Sequence, residues 1–189
     1  VKIDINTGLL EGANYLASPH CNARPAEMPI DMVVIHGISL PPNEFGTGWV
    51  EKFFCGNLDP KAHPYFETIS HLNVSSHLFI DRQGSITQFV PFTRRAWHAG
   101  VSTFDGRTEC NDFSIGIELE GADDMPYEKI QYTRLAEVLD ALQKTYPAIH
   151  AKRIVGHSDI APGRKTDPGE SFDWAYLELL TGAKVGVHN

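Results

Sequence analysis

The chain has little of several things that would point to a partner or a compartment. Cysteine is scarce: Cys21, Cys55 and Cys110 are odd in number, widely spaced, and form no Cys-x-x-Cys pair. That argues against a cysteine-built zinc site, and free thiols suit a reducing cytoplasm. No apolar run approaches the ~18 residues that cross a bilayer. Positive charge is in deficit, with Lys and Arg totalling 16 against 24 Asp and Glu, a net charge of −8. The chain therefore lacks the basic footprint that nucleic acid or an anionic membrane requires. No basic segment followed by an apolar core opens Val1 to Asn6, so no secretory signal is read there. Internal repeats and low-complexity segments are absent too. At 189 residues, with 42% hydrophobic and 21% charged positions, the composition predicts one globular domain over 1–189.

What is present reads as strands and helices in mixed order. Residues 1–31, punctuated by Pro19, Pro25 and Pro29, read as an irregular arm. Met32-Val33-Val34-Ile35 is a continuous apolar run, the pattern of a buried central strand, and it stops at His36-Gly37. A turn-rich loop over 40–46 leads to a short helix, Trp49 to Phe54, closed by Gly56. Val74–Ile80 and Ile86–Val90 are β-rich, and Asp81 to Ser85 between them reads as a hairpin loop. Ala96 to Gly100 reads as a short strand or a strand end. Phe113 to Leu119 alternates strictly, with Ile115, Ile117 and Leu119 on one face and Ser114, Gly116 and Glu118 on the other. Residues 127–146 form the clearest helix, with Leu135, Val138, Leu139, Leu142 and Tyr146 in one stripe and Pro126 in its first turn. A last helix is expected at 172–181, and a frayed tail from Gly182. The fold class predicted is α/β, a single central mixed sheet flanked by helices.

The chemistry concentrates in Ile154 to Gly169. There an apolar strand end runs into Gly156-His157-Ser158-Asp159, then Pro162-Gly163-Arg164-Lys165-Thr166-Asp167-Pro168-Gly169. Fixed backbone that displays an imidazole, carboxylates and an ammonium group reads as a site. His157 and Asp167 are the expected ligands of one zinc ion, with Lys165 directed at the same centre. His36 supplies the third ligand, because it follows an apolar strand just as His157 does. The plainer readings are a hydrogen-bonded histidine for His36, a turn-forming aspartate in Asp-Pro-Gly for Asp167, and an exposed lysine for Lys165. Two His and one carboxylate leave a fourth zinc position for water, the arrangement of a catalytic centre. Glu118 is the expected proton acceptor, against the plainer reading of a solvated strand carboxylate. Glu120 shares its face and is the rival. Lys165 would hold the oxyanion. His98 either lines a cleft or fills the core. His71 and His77 are six apart, which rules out a shared helical face, though a strand would put them on one side. His20, His63, His150 and His188 are assigned to structure or solvent.

Four blocks then resemble one family in the same order: Val34 to Ser39, Arg95 to Gly100, Cys110 to Gly121, and Gly156 to Gly169. They are similar to the zinc-dependent N-acetylmuramoyl-L-alanine amidases, which share the fold of the peptidoglycan recognition proteins. The match is nearest the cytosolic branch acting on 1,6-anhydro-muropeptides, and it runs from about residue 8 to 180. The resemblance implies zinc ligands at His36, His157 and Asp167, a catalytic Glu118 rather than Glu120, and a transition-state role for Lys165. It implies cleavage between the lactyl group of muramic acid and the L-alanine of the stem peptide, with an influence on β-lactamase induction in some bacteria. The partner expected is a small muropeptide, taken up by a cytoplasmic monomer with no nucleic acid or membrane involved. His98, Arg107 and Asn73 are candidate substrate contacts. The chain departs from the cytosolic members at Gly37, where they carry Asn, and at Asn73 and Glu109, where they carry arginines. Arg107, two residues before Glu109, is the candidate substitute. Two other functions compete: a periplasmic amidase acting on intact wall, and a non-catalytic peptidoglycan-binding module. The latter typically lacks a metal ligand, whereas all three positions are filled here.

Overall fold

The computed structural model describes residues 1–186; His188 and the end of the expected frayed tail lie outside them. The elements in chain order are β1 (Ile3–Asp4), β2 (Leu9–Leu10), β3 (Asn14–Tyr15), β4 (Cys21–Ala23), β5 (Met32–Ile38), α1 (Trp49–Phe54) and α2 (Pro64–Ile69). Then come β6 (Leu78–Ile80), β7 (Ile86–Gln88), β8 (Arg94–Ala96), β9 (Thr103–Phe104), β10 (Arg107–Thr108) and β11 (Ser114–Glu120). The chain closes with α3 (Lys129–Thr145), β12 (Ile154–Gly156), α4 (His157–Ile160) and α5 (Trp174–Thr181). Six strands form one mixed sheet in the order β12-β5-β11-β6-β7-β3. β12, β5, β11 and β6 run parallel, and β7 turns back antiparallel to β6.

Because β5 and β11 lie inside the sheet, both their faces are covered, which is why each reads as a nearly continuous apolar run. Val33, Ile35, Ile115, Ile117 and Leu119 face the stripe of α3, Leu135, Val138, Leu139 and Leu142, in one core. Each such side chain stabilises the fold by roughly 1.5–3 kcal/mol through burial. On the opposite face Met32, Val34 and Val155 pack with Phe113 and Ile160. A third cluster joins Phe79 and Phe89 to Phe53, Phe54 and Phe66 of α1 and α2. α3 therefore occupies one side of the sheet, and the polar residues of β5 and β11 open on the other.

Several expectations are corrected. The arm over 1–31 is not irregular throughout: β3 adds to the sheet beside β7, and β4 pairs with β8. Strand β5 does not stop at His36, because its pairing with β11 continues through Ile38 opposite Glu120. The hairpin strands are shorter than 74–80 and 86–90. Ser75 and His77 instead give their backbone N–H groups to Trp97 and Gly116 carbonyls outside the ladder. α3 starts at Lys129, so Pro126 lies before it, and Gln131 accepts the Glu128 N–H at 2.9 Å to close the first turn. The tail is not loose from Gly182, since Val185 is buried in the main core. α2 was not foreseen; His63 caps it by accepting the Tyr65 N–H, and Pro64 opens it. Pro at the first helical position was the available signal.

Candidate active site

Parallel pairing sets Glu118 directly opposite His36 and Gly156 opposite Ile35. Neighbouring strands lie about 4.8 Å apart, so His36 and Glu118 project side by side on the same face. His157, one residue past Gly156, opens α4 level with them. All three stand at the carboxyl ends of parallel strands, where α/β sheets gather ligands. Asp167 arrives on the loop after α4. Its carbonyl accepts the Ser158 N–H at 3.0 Å, and Gly169 lets the loop turn away at φ +88°, where a Cβ would meet the Asp123 backbone at 2.2 Å.

Three ligand atoms meet. Nδ1 of His36 and Nδ1 of His157 are 3.0 Å apart, and Oδ2 of Asp167 lies 3.1 Å from the first and 3.0 Å from the second. Tetrahedral zinc with bonds of about 2.0–2.1 Å separates its ligand atoms by roughly 3.3 Å, so this triangle suits such an ion. The tautomers fit as well. His157 Nε2 lies 3.0 Å from the Ala99 carbonyl oxygen, which can only accept, so Nε2 carries the hydrogen and Nδ1 keeps its lone pair. Burial, then the neighbouring His157, lowers the His36 pKa to about 4, which keeps its ring neutral and able to ligate. Burial works to raise the Asp167 carboxyl, but the two imidazoles beside it, His157 first and then His36, outweigh it and hold the group below the usual carboxylate range. Among the described residues these three form a group able to hold a metal ion.

Glu118 is buried, and its Oε1 stands 4.0 Å from His36 Nδ1. Its Oε2 is buried without a hydrogen-bond partner. Burial first, then the charge of Asp167, pushes its pKa well up, while Lys165 pulls it down. A cation in the triangle answers both features by favouring the charged carboxylate. Glu120, the rival, is otherwise engaged: its oxygens accept the Gly46 N–H at 2.5 Å and the Arg82 N–H at 3.2 Å, fastening two loops. Lys165 lines the same cleft as the triangle and Glu118, a cavity of about 580 Å³. Trp97, Tyr65 and Ile69 give it an apolar wall that sequence reasoning did not assign.

The N-acetylmuramoyl-L-alanine amidase family matches residues 26–170. The chain belongs to the N-acetylmuramoyl-L-alanine amidases. This amidase is 54% identical over 181 residues to the 1,6-anhydro-N-acetylmuramyl-L-alanine amidase AmpD of Escherichia coli K12, covering 96% of this chain and 98% of that one. The crystal structure of a selenomethionine AmpD derivative matches with a TM-score of 0.92 at 53% identity, over 95% of this chain and 99% of that one. AmiD of E. coli, solved with the substrate anhydro-N-acetylmuramic acid-L-Ala-D-γ-Glu-L-Lys, is 31% identical with a TM-score of 0.61, over 86% of this chain and 60% of that one.

The remaining expected contacts fall differently in the amidase. His98 lines the cleft, yet its Nδ1 lies 2.9 Å from His36 Nε2. Arg107 is not brought to the cleft lining. It pairs with Asp31 at 2.6 Å and stacks on Phe113, because an arginine beside a half-buried carboxylate and a ring is held there. Asn73 is exposed at the rim between Leu72 and Val74, which do line the cleft. Glu109 faces Arg95 at 3.7 Å, so its charge is partly answered within the chain.

Proposed function

We propose that this amidase hydrolyses the bond between the lactyl carbonyl of 1,6-anhydro-N-acetylmuramic acid and the L-alanine nitrogen of the stem peptide, in peptidoglycan recycling. The observation that carries the reading is the triangle of His36, His157 and Asp167 beside an unpartnered Glu118 oxygen. It stands in a chain that matches an anhydro-muropeptide amidase along nearly its whole length.

His36, His157 and Asp167 would hold one zinc ion, which when bound lowers the pKa of water and polarises the amide carbonyl. Glu118 takes the proton from the attacking water and returns it to the alanine nitrogen as the C–N bond breaks. The products are a lactyl carboxylate and a free peptide amine. Lys165 sets a positive charge against the negative charge that develops on the carbonyl oxygen. The apolar wall of Trp97, Tyr65 and Ile69 keeps water from the part of the substrate that does not react. Both proposed catalytic groups and all three ligands come from one chain, so the monomer and single amidase domain of this reading have a complete site. Three free cysteines and the match to a recycling enzyme support a cytoplasmic location; no helix among the described residues is long and apolar enough to cross a membrane.

The test is metal analysis of the purified protein together with mass spectrometry of peptide release, from soluble anhydro-muropeptide and from intact sacculi. One zinc per chain and a preference for the soluble substrate are expected, with both zinc and hydrolysis lost in His157→Ala. Full activity in metal-free His157→Ala protein would overturn the mechanism. A preference for sacculi would transfer the enzyme to wall degradation.

A further inference from the structure

Two ring-orienting contacts, one for each metal-site histidine, come from a single dipeptide. His36 Nε2 meets His98 Nδ1 at 2.9 Å, and His157 Nε2 meets the carbonyl oxygen of the next residue, Ala99, at 3.0 Å. The dipeptide is itself held by one atom. Oδ1 of Asn111 accepts the N–H of His98 at 3.0 Å and that of Ala99 at 2.8 Å. Asn111 is 7% exposed and sits in the 3-10 turn Cys110–Asp112, just ahead of the strand that carries Glu118. Its own carbonyl accepts from the half-buried Arg24 guanidinium at 3.1 Å, so the turn is anchored from behind.

The frame is finished at both ends. His98 Nε2 reaches Ser114 Oγ at 3.2 Å, a hydroxyl able to take its hydrogen bond and so leave His98 Nδ1 to accept from His36. Gly116 makes room for the ring, since a Cβ there would lie 2.5 Å from it. On the other side Arg164 Nη2 donates to the Ala99 carbonyl at 2.6 Å and to that of Val101 at 2.7 Å. The Ala99 oxygen therefore receives two donors, the Arg164 guanidinium and the His157 ring.

We propose that Asn111 is a positioning residue for the metal centre. Through the His98-Ala99 backbone it holds the two acceptors that keep the hydrogens of His36 and His157 on Nε2, leaving both Nδ1 lone pairs aimed into the triangle with Asp167. An imidazole can carry its hydrogen on either nitrogen, and the partner of the remote nitrogen decides which. One carboxamide oxygen sets that choice for two ligands at once, although it touches neither. This rests on the ligand assignment proposed above.

Two readouts test it. The first is the nitrogen-15 imidazole spectrum of the metal-free protein. The second is the zinc dissociation constant from competition with a chromogenic chelator. In wild-type protein both rings should be Nε2–H tautomers. Asn111→Ala should mix the tautomers of both rings and weaken zinc about 10–100-fold, the usual size for a partner of a metal ligand. Asn111→Asp keeps an oxygen at the same place and should restore both rings. His98→Phe withdraws only one acceptor, so it should release His36 and leave His157 in place. That variant carries the test if Asn111→Ala fails to fold. Wild-type tautomers and zinc affinity in Asn111→Ala, or disturbance of both rings alike in His98→Phe, would overturn the proposal. Wild-type protein that binds no zinc would sink the ligand assignment, while the metal-free spectra would still decide the frame.

Discussion

Acid should unfold this protein through His77, and the size of the effect can be worked from its surroundings. The ring is fully buried. Nδ1 accepts the Gly116 N–H at 3.0 Å, Nε2 donates to the Arg94 carbonyl at 3.0 Å, and Arg24 Nη2 lies 3.1 Å from Nε2. Burial, then the Arg24 charge, lowers the pKa from 6.5 to about 3. Above pH 6.5 the ring is neutral in both folded and unfolded chains and contributes no pH dependence. Below it the unfolded chain binds a proton that the folded chain refuses. Stability therefore falls by up to about 1.4 kcal/mol per pH unit, or about 2 kcal/mol between pH 6.5 and 4.5. The loss levels off only as pH passes the folded value near 3. The assay is urea unfolding from pH 7 to pH 4.5, for wild type and His77→Gln, with chelator present so that metal release does not contribute. The variant should start about 1–3 kcal/mol less stable, yet lose less stability on acidification by one proton's worth. His36, also lowered by burial, contributes to both proteins and cancels in the difference. Parallel pH slopes would refute the reasoning.

Three further outcomes are expected. Glu118→Gln should keep zinc and lose on the order of 10²–10⁴ in kcat, the share of a general acid–base group; near wild-type turnover would remove Glu118 from proton transfer. Lys165→Ala should lower kcat more than it raises KM, because its contact belongs to the transition state; a change confined to KM would make it a binding residue. In Gly37→Ala the new Cβ would lie 2.2 Å from the Tyr127 hydroxyl, which donates to the Pro168 carbonyl at 2.8 Å. It should cost roughly 1–3 kcal/mol in denaturant unfolding, and less when Tyr127→Phe has already removed that hydroxyl; additive costs would show that the two residues do not collide.

The residues that announce themselves locally were readable in advance. The stripe of α3 and the alternation of β11 follow from periodicity, because a helix and a strand each present one repeating face to a core. Trp49–Phe54 could be bounded from its apolar cluster and Gly56 alone. His36, His157 and Glu118 stand out because each interrupts or follows an apolar run with a group that burial penalises, and Asp167 because it stands in the Gly- and Pro-rich loop that also displays Lys165. The place of Arg107 was not legible because an arginine declares its charge and not its partner. Asp31, 76 residues away in sequence, decided where it lies. Glu118 and Glu120 are equivalent in the strand pattern. They differ only in what reaches them: the metal-site histidine in one case, the Gly46 and Arg82 backbone in the other.

The amino-acid sequence by itself determined the types of the central strands and of the long helix, the burial of those strands and the set of donor side chains, since these depend on each residue and its near neighbours. Only the tertiary structure decided that atoms 121 and 131 residues apart come within 3.1 Å, and which ring nitrogen each histidine turns toward them. Strand register and the partners behind the rings set both, and neither is a property of any local stretch of chain.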